Sequence, residues 1–465
     1  MQRNFYTMYI QQLYTNCLAE AAYYIESEGE AAIIDPLREI APYLDLAKSR
    51  NAKIKYIIET HFHADFISSH IDLAKETGAT IVYGPTAKAS YAIHAAHDGE
   101  LLSLGKIKLK VIHTPGHTIE SSCFLLIDED GKENSIFTGD TLFVGDVGRP
   151  DLAVKSDLTR EDLAGMMYES VQKLKLLNDD LIVYPGHGAG SACGKNIGKE
   201  TTTTIGMQKK LNYALQPMSK AEFVTILTDG LTEPPKYFFV DAGINKAGYE
   251  HIDVVLKKNT TEISVEQFQK EMTAGATIID TRDADTFEKD FIPTSINIGL
   301  GGQYAIWVGS LIDYKTPLVL ICDKGKETES VLRLARIGFE NVKGILKDGI
   351  VAWKNAGLKT DTVHSVTADE FAKEQGTAES IIDVRNEGEW SNTGIIKNAS
   401  RITLAKLEES LNTLDKSQHH FVHCAGGYRS MIAASIMKRN GFNSVTNIRG
   451  GVAKIKEAGV ELYPV

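Results

Sequence analysis

The sequence predicts an α/β protein built in two halves. Two observations carry this. Over residues 1 to about 250, short apolar runs alternate with segments of helical apolar spacing and charged flanks. Over the remainder, one pattern occurs twice in the same order, each copy about 100 residues long. The chain has 465 residues, too many for one ordinary core. The expected division is residues 1–256, 260–360 and 361–465.

In the first half the strand candidates are AAIIDP, KIKYIIET, ATIVYG, IKLKVIHT, SCFLLID, SIFTGD and DLIVYPG. Helices are expected over residues 42–49, 67–77 and 160–176. Four of the apolar runs share an ending. YIIET runs into His61 and His63, VIHTPG into His117, SIFTG into Asp140 and LIVYPG into His187. Each strand ends in a Thr, Gly or Pro-Gly turn and then a side chain able to bind a metal. Strand ends that converge on one rim of a sheet are where α/β folds place their sites. A lone histidine of this kind is more often a surface or satisfied group. Four repeats of the pattern require one explanation, and a metal site supplies it.

In the second half, ATIIDTRDADTFEKDFIPTSINI is echoed by ESIIDVRNEGEWSNTGIIKNASRI, which matches Asp280 to Asp383. VLICDKGKE is echoed by FVHCAGGYR, matching Cys322 to Cys424, and RIGFENV by RNGFNSV. The polar segments at 257–264 and 358–365 read as unstructured boundaries. Cys424 falls directly after a strand and before a helix, with residues 424–429 as the turn. Successive N–H groups in such a loop cradle an anion, the helix start adds its positive end, and Arg429 adds a full charge. These features suit an anionic sulfur on Cys424. In the first copy the loop is CDKGKE, with Asp323 beside Cys322 and Glu327 where the arginine would stand. Like charge there opposes a thiolate, so this copy reads as weak or silent.

Hydrophobic residues are 43% and charged residues 24%, ordinary values for globular protein. A formal net charge of −11 argues against a nucleic-acid-binding surface. No apolar run has the length of a membrane span, and the start of the chain has no leader signature. The scattered cysteines, Cys17, Cys123, Cys193, Cys322 and Cys424, suit a reducing cytoplasm. Cys17 and Cys123 lie in apolar segments and are expected in the core.

The first half resembles the metallo-β-lactamase superfamily, whose signature H-x-H-x-D-H stands here as HFHADF at residues 61–66. TGDTLFVGDVGRPDL at residues 138–152 is similar to the persulfide dioxygenase branch, near the glyoxalase II thioester hydrolases. The duplicated half resembles the rhodanese family through CAGGYR, the DVR of Asp383 to Arg385 and the pair Gly450 and Gly451. The resemblance implies an αββα metallo-β-lactamase sandwich followed by two tandem rhodanese-like α/β domains, the first degenerate and the second active.

Phe66 is the departure. In binuclear members the second metal uses Asp65, the residue at position 66, His187 and the bridging Asp140. Phenylalanine removes one nitrogen ligand, so one metal per chain is expected. The dioxygenase branch implies Fe(II) held by His61, His117 and Asp140, with His63, Asp65 and His187 around it as orienting or pocket residues. Two histidines and one carboxylate leave positions open for a sulfur and O2, the usual arrangement of non-haem iron oxygenases. Arg149 is expected either to bind an anionic part of the substrate or to pair with Asp146 or Asp151. Cys193, six residues after His187 in a glycine-rich loop, either takes a persulfide sulfur at the pocket mouth or is an incidental small residue.

The resemblance implies a cytoplasmic enzyme that oxidises small persulfides of the glutathione, coenzyme A or cysteine type with O2 to sulfite. Cys424 and Arg429 would carry sulfur to or from that chemistry, giving thiosulfate in sulfide detoxification. A homo-oligomer without nucleic-acid or membrane partners is expected. The alternatives are a zinc thioester hydrolase of glyoxalase II type and a non-oxidising sulfur carrier.

Overall fold

The computed structural model describes residues 8–152, 158–231 and 233–465. Residues 1–7, on which part of the expectation about a leader falls, lie outside them. The chain divides into two units. One comprises Met1–Val255 with Ala335–Gly338, the other Leu256–Leu334 with Phe339–Val465. Both repeats therefore share the second unit.

The first unit is built on two six-stranded sheets. The first runs in chain order through β1 (Tyr9–Thr15), β2 (Glu20–Ser27), β3 (Glu30–Ile34), β4 (Lys53–Ile58), β5 (Thr80–Tyr83) and β6 (His94–Ala95). The second runs β12 (Thr203–Thr204), β11 (Ile182–Pro185), β10 (Glu133–Gly139), β9 (Ser122–Ile127), β8 (Ile107–His113) and β7 (Leu101–Leu104). Strand alternation sorts the side chains into layers. Tyr23 and Ile25 of β2 point inward to meet Phe124, Leu126 and Phe137 of the other sheet. Tyr24 and Ala22 point outward against Tyr43 and Ala47 of the helix Ala41–Arg50 and Leu73 of the helix His70–Thr77. On the far side, Cys123, Leu125, Ile136 and Val183 pack against Met167, Val171 and Leu174 of the helix Arg160–Lys175. The result is the αββα sandwich. Strands buried on both faces are apolar throughout, which is why they read as continuous runs.

In the second unit each repeat is a five-stranded parallel sheet with the same order. The first is Glu262–Ile263, Val342–Leu346, Leu318–Ile321, Thr277–Asp280 and Ile296–Asn297. The second is His364–Val366, Val445–Ile448, His420–His423, Ser380–Asp383 and Ser400–Arg401. Arg282 forks onto Asp280 at 2.9 and 2.6 Å, and Arg385 onto Asp383 at the same two distances.

Three local expectations are corrected. The segment 257–264 is not an open linker, because the helix Ile252–Asn259 and the strand Glu262–Ile263 occupy most of it. Apolar Ile252 and Val255 anchor that helix in the interior. Residues 358–365 are also structured, since Asp361 and Phe291 exchange backbone hydrogen bonds at 2.9 and 3.0 Å. Cys17 lies in a turn and is half-buried, whereas Cys123 is in the core. No helix among the described residues is long and apolar enough to cross a membrane.

Candidate metal centre and thiol loop

His61, His117 and Asp140 come together from the ends of three strands, all buried, and could hold a metal ion. The Nε2 atoms of His61 and His117 lie 4.0 and 3.4 Å from the same oxygen, Oδ2 of Asp140. Backbone and side-chain partners set the outward atom of each ring. His117 Nδ1 lies 2.9 Å from the Arg149 carbonyl, which can only accept, so Nδ1 carries the proton. Thr60 Oγ1 donates to Asp35 at 2.8 Å and so accepts from His61 Nδ1 at 3.0 Å. Both rings therefore turn an Nε2 lone pair inward. Burial, and then the neighbouring rings of His63, His117 and His187, push His61 well below the ordinary imidazole value, toward the neutral form a metal requires.

The donor set fits a cation. His61 Nε2 and both Asp140 oxygens are buried, yet have no hydrogen-bond partner among the described residues. Buried polar atoms left this way are costly unless something binds them.

Asp65, His187 and Cys193 form a second cluster, joined to the first through Asp140. His187 Nε2 lies 3.3 Å from Asp65 Oδ2 and 3.5 Å from Asp140 Oδ1, while its Nδ1 donates to the Ala19 carbonyl at 3.2 Å. Cys193 is not at a mouth but inside. It is 1% exposed, and its carbonyl accepts the Arg149 N–H at 2.9 Å. Burial first, then the carboxylates of Asp65 and Asp140, push its thiol well above the usual range.

Arg149 takes the ion-pair alternative. Its guanidinium forks onto Asp151 at 2.7 Å on both arms and donates to the Ala192 carbonyl at 3.2 Å. It ties the Cys193 turn to the His117 partner instead of standing open to a substrate anion.

Four residues escape the sequence reading. Asp35 and Glu59 hold His63, whose Nε2 lies 3.0 Å from Asp35 Oδ1 and 3.2 Å from Glu59 Oε2. Burial alone would lower His63, but these carboxylates outweigh it and raise it well above the ordinary value. Thr60 relays Asp35 to His61. Asn245 straps the signature loop by donating to the carbonyls of His63 and Phe66 at 2.9 and 2.8 Å. Asp35 had a visible signal, since it ends the run AAIID as Asp140 ends its own. Phe66 is fully buried and stacks on His63 with ring centroids 4.2 Å apart.

In the second repeat the strand His420–His423 leads into Cys424, and the helix Tyr428–Arg439 follows the loop. Gly427 N–H points at Cys424 Sγ, 3.1 Å away. Arg429 forks onto Glu389 at 2.6 and 2.7 Å, so its charge is balanced and it braces the loop. Gly451 lies under the loop with φ +61°, where a Cβ would come within 2.2 Å of the Ala425 carbonyl. Only glycine permits that approach. In the first repeat burial pushes the Cys322 thiol up to about 11, and Asp280 and Glu327 add to the rise.

Comparison with known proteins agrees with this architecture. The family model described as the metallo-beta-lactamase superfamily matches residues 15–187. The rhodanese-like domain model matches residues 264–356 and 367–458. A crystal structure described as a metallo-beta-lactamase from Staphylococcus aureus subsp. aureus COL is 31% identical, with 73% of this chain and 99% of that chain covered and a TM-score of 0.67. The chain belongs to the metallo-β-lactamase superfamily and carries two rhodanese-like domains. A probable hydroxyacylglutathione hydrolase from Schizosaccharomyces pombe is 31% identical over 35% of this chain and 60% of its own length. The hydroxyacylglutathione hydrolase of Rhizobium etli is 36% identical over 34% and 57%. The chain thus spans less than two thirds of these curated relatives. A structure of ETHE1 from Myxococcus xanthus is 28% identical, covering 51% of this chain and 98% of that one, with a TM-score of 0.45.

Proposed function

We propose that the chain is a non-haem iron persulfide dioxygenase joined to a sulfurtransferase. The observation that carries this is the inward-facing set of His61 Nε2, His117 Nε2 and the Asp140 carboxylate, with those Asp140 oxygens and His61 Nε2 unpartnered. Two imidazoles and one carboxylate leave several positions of an octahedral ion open. Iron(II) held there would supply adjacent sites for a persulfide sulfur and O2 and a path for electrons between them. In balance, R–S–SH, O2 and water give R–SH, sulfite and two protons.

The protein's own part is positioning. The Arg149 carbonyl and Thr60 fix the two rings before any ion binds, so little reorganisation is needed on loading. The αββα walls bury the site and keep bulk water from the reacting sulfur. Phe66 fills the place of a ligand with hydrocarbon, which disfavours a second ion. In the second repeat, the Gly427 N–H and the loop amides would stabilise a persulfide on Cys424. Transfer of its outer sulfur to sulfite forms thiosulfate and returns the Cys424 thiolate. Sulfur could equally run from Cys424 toward the oxidising site. Joining both activities in one chain raises the local concentration of what passes between them.

A second reading is a zinc thioester hydrolase. The names of the curated relatives favour it, as does Asp140, which lies between His117 and His187 as a bridging carboxylate would. Metal analysis with an oxygen electrode separates the two. Stoichiometric zinc and no O2 uptake with glutathione or coenzyme A persulfide would sink the dioxygenase reading.

A further inference from the structure

The first repeat has lost the arginine of its thiol loop, yet one of its turns reaches the loop of the second. Tyr428 directly follows Gly427, the residue whose N–H is aimed at Cys424 Sγ. The Tyr428 hydroxyl donates to the Gly299 carbonyl of the first repeat at 2.7 Å. Its ring lies against Gly302, where an added Cβ would come within 2.6 Å of the ring carbons. That turn is held from behind. Arg333, on the first repeat's helix Glu327–Ala335, donates to the carbonyls of Leu300 and Gly302 at 2.6 and 2.7 Å. Arg429, the next residue along, is forked onto Glu389 of its own repeat. The two residues after Gly427 are therefore pinned by different repeats.

We propose that the first repeat is a positioning module for the Cys424 loop: its turn at residues 299–302, held by Arg333, fixes Tyr428 and with it the Gly427 N–H aimed at the sulfur. This rests on the reading of Cys424 as a sulfur carrier, and it gives the silent copy a task at the active one. The physical reason is the softness of the loop. Gly426 and Gly427 leave the backbone free to swing, so an amide in that stretch points reliably only if its neighbours are anchored. Tyr428 acts through Gly427 and is a positioning residue.

The test uses the full chain and transfer of sulfane sulfur from thiosulfate to cyanide, with rates taken per Cys424 titrated by alkylation. A purely structural role would lower the titre of reactive Cys424 without changing the rate per titrated site. Tyr428→Phe keeps the ring and removes only the hydroxyl. Gly302→Ala pushes the ring off the turn from the other repeat. Each is expected to lower kcat roughly five-fold, the scale of one misaimed hydrogen bond, with KM held within about two-fold. Lys343→Ala, exposed on the strand Val342–Leu346 of the same first repeat and across the sheet from the strand Ile296–Asn297 that leads into the turn, is expected to leave both unchanged. Wild-type kcat in both Tyr428→Phe and Gly302→Ala would overturn the inference. A wild-type chain whose Cys424 takes no sulfur from thiosulfate would instead overturn the carrier reading, and the inference with it.

Discussion

The Nε2 atom of His117 lies 3.4 Å from Oδ2 of Asp140, and neither oxygen of that carboxylate has a hydrogen-bond partner among the described residues. With the Nδ1 proton given to the Arg149 carbonyl and the ring neutral, the Nε2 lone pair and the carboxylate oxygen repel unless a cation stands between them. Asp140→Asn keeps the shape and removes the charge. It is expected to reduce bound metal to a small fraction of one equivalent, read by elemental analysis after dialysis. Full retention would exclude Asp140 as a ligand.

Asp35 holds the signature loop at three points. It accepts from the Thr60 N–H at 2.7 Å and from the Thr60 hydroxyl at 2.8 Å, and lies 3.0 Å from His63 Nε2. Asp35→Asn should weaken metal binding by about 10- to 100-fold, the usual cost of losing an outer partner of a ligating histidine. Competition with a chelator of known affinity measures this. An unchanged constant would show that Thr60 holds His61 without Asp35.

Phe66 occupies the position of a ligand and stacks on His63. With Asp65, His187 and Asp140 already clustered, Phe66→His supplies the missing nitrogen. Zinc stoichiometry is expected to rise from about one toward two per chain under excess metal. If it stays at one, something other than residue 66 enforces the single site.

Gly451 carries the Cys424 loop on a left-handed backbone in contact with the Ala425 carbonyl. Gly451→Ala must move that backbone. The expected result is loss of thiosulfate formation and a destabilisation of about 1–3 kcal/mol in the second unit, with O2 uptake retained. Thermal unfolding and product analysis check both parts.

The pH dependence of Cys322 follows from its burial. With its pKa pushed up to about 11, the group is predominantly a neutral thiol at lower pH, and alkylation needs the thiolate. Labelling of Cys322 by iodoacetamide should be very slow at pH 7 and rise about ten-fold per pH unit toward 11. Rapid labelling at neutral pH would contradict the silent assignment of the first repeat.

Much of this was legible in the sequence because the strands are buried on both faces. The runs of β3, β4, β10 and β11 are largely apolar and each ends at the rim where the site lies, whereas the buried β2, EAAYYIES, was passed over. β1 was not legible. All seven of its residues are half-buried at the sheet edge, and YIQQLYT carries too little contrast to be recognised. Asp35 and Glu59 were missed for another reason. Each follows an apolar run, but their meaning depends on His63 folding back onto them, onto Glu59 four residues earlier and onto Asp35 at the end of the neighbouring strand. Arg429 was read as an open charge and Arg149 as either open or paired, since a sequence does not show that Glu389 and Asp151 take their guanidinium groups. Nor could it show Tyr428 reaching Gly299, because that contact spans two repeats.

The proposed oxidation of a persulfide by O2 is open to one direct measurement. Iron-loaded full-length protein should be given glutathione persulfide in an oxygen electrode, with sulfite and thiosulfate quantified. One O2 is expected to be consumed per sulfite or thiosulfate formed, because the outer sulfur of thiosulfate is transferred and not oxidised. Absence of O2 uptake, together with hydrolysis of a glutathione thioester by the zinc-loaded chain, would contradict it.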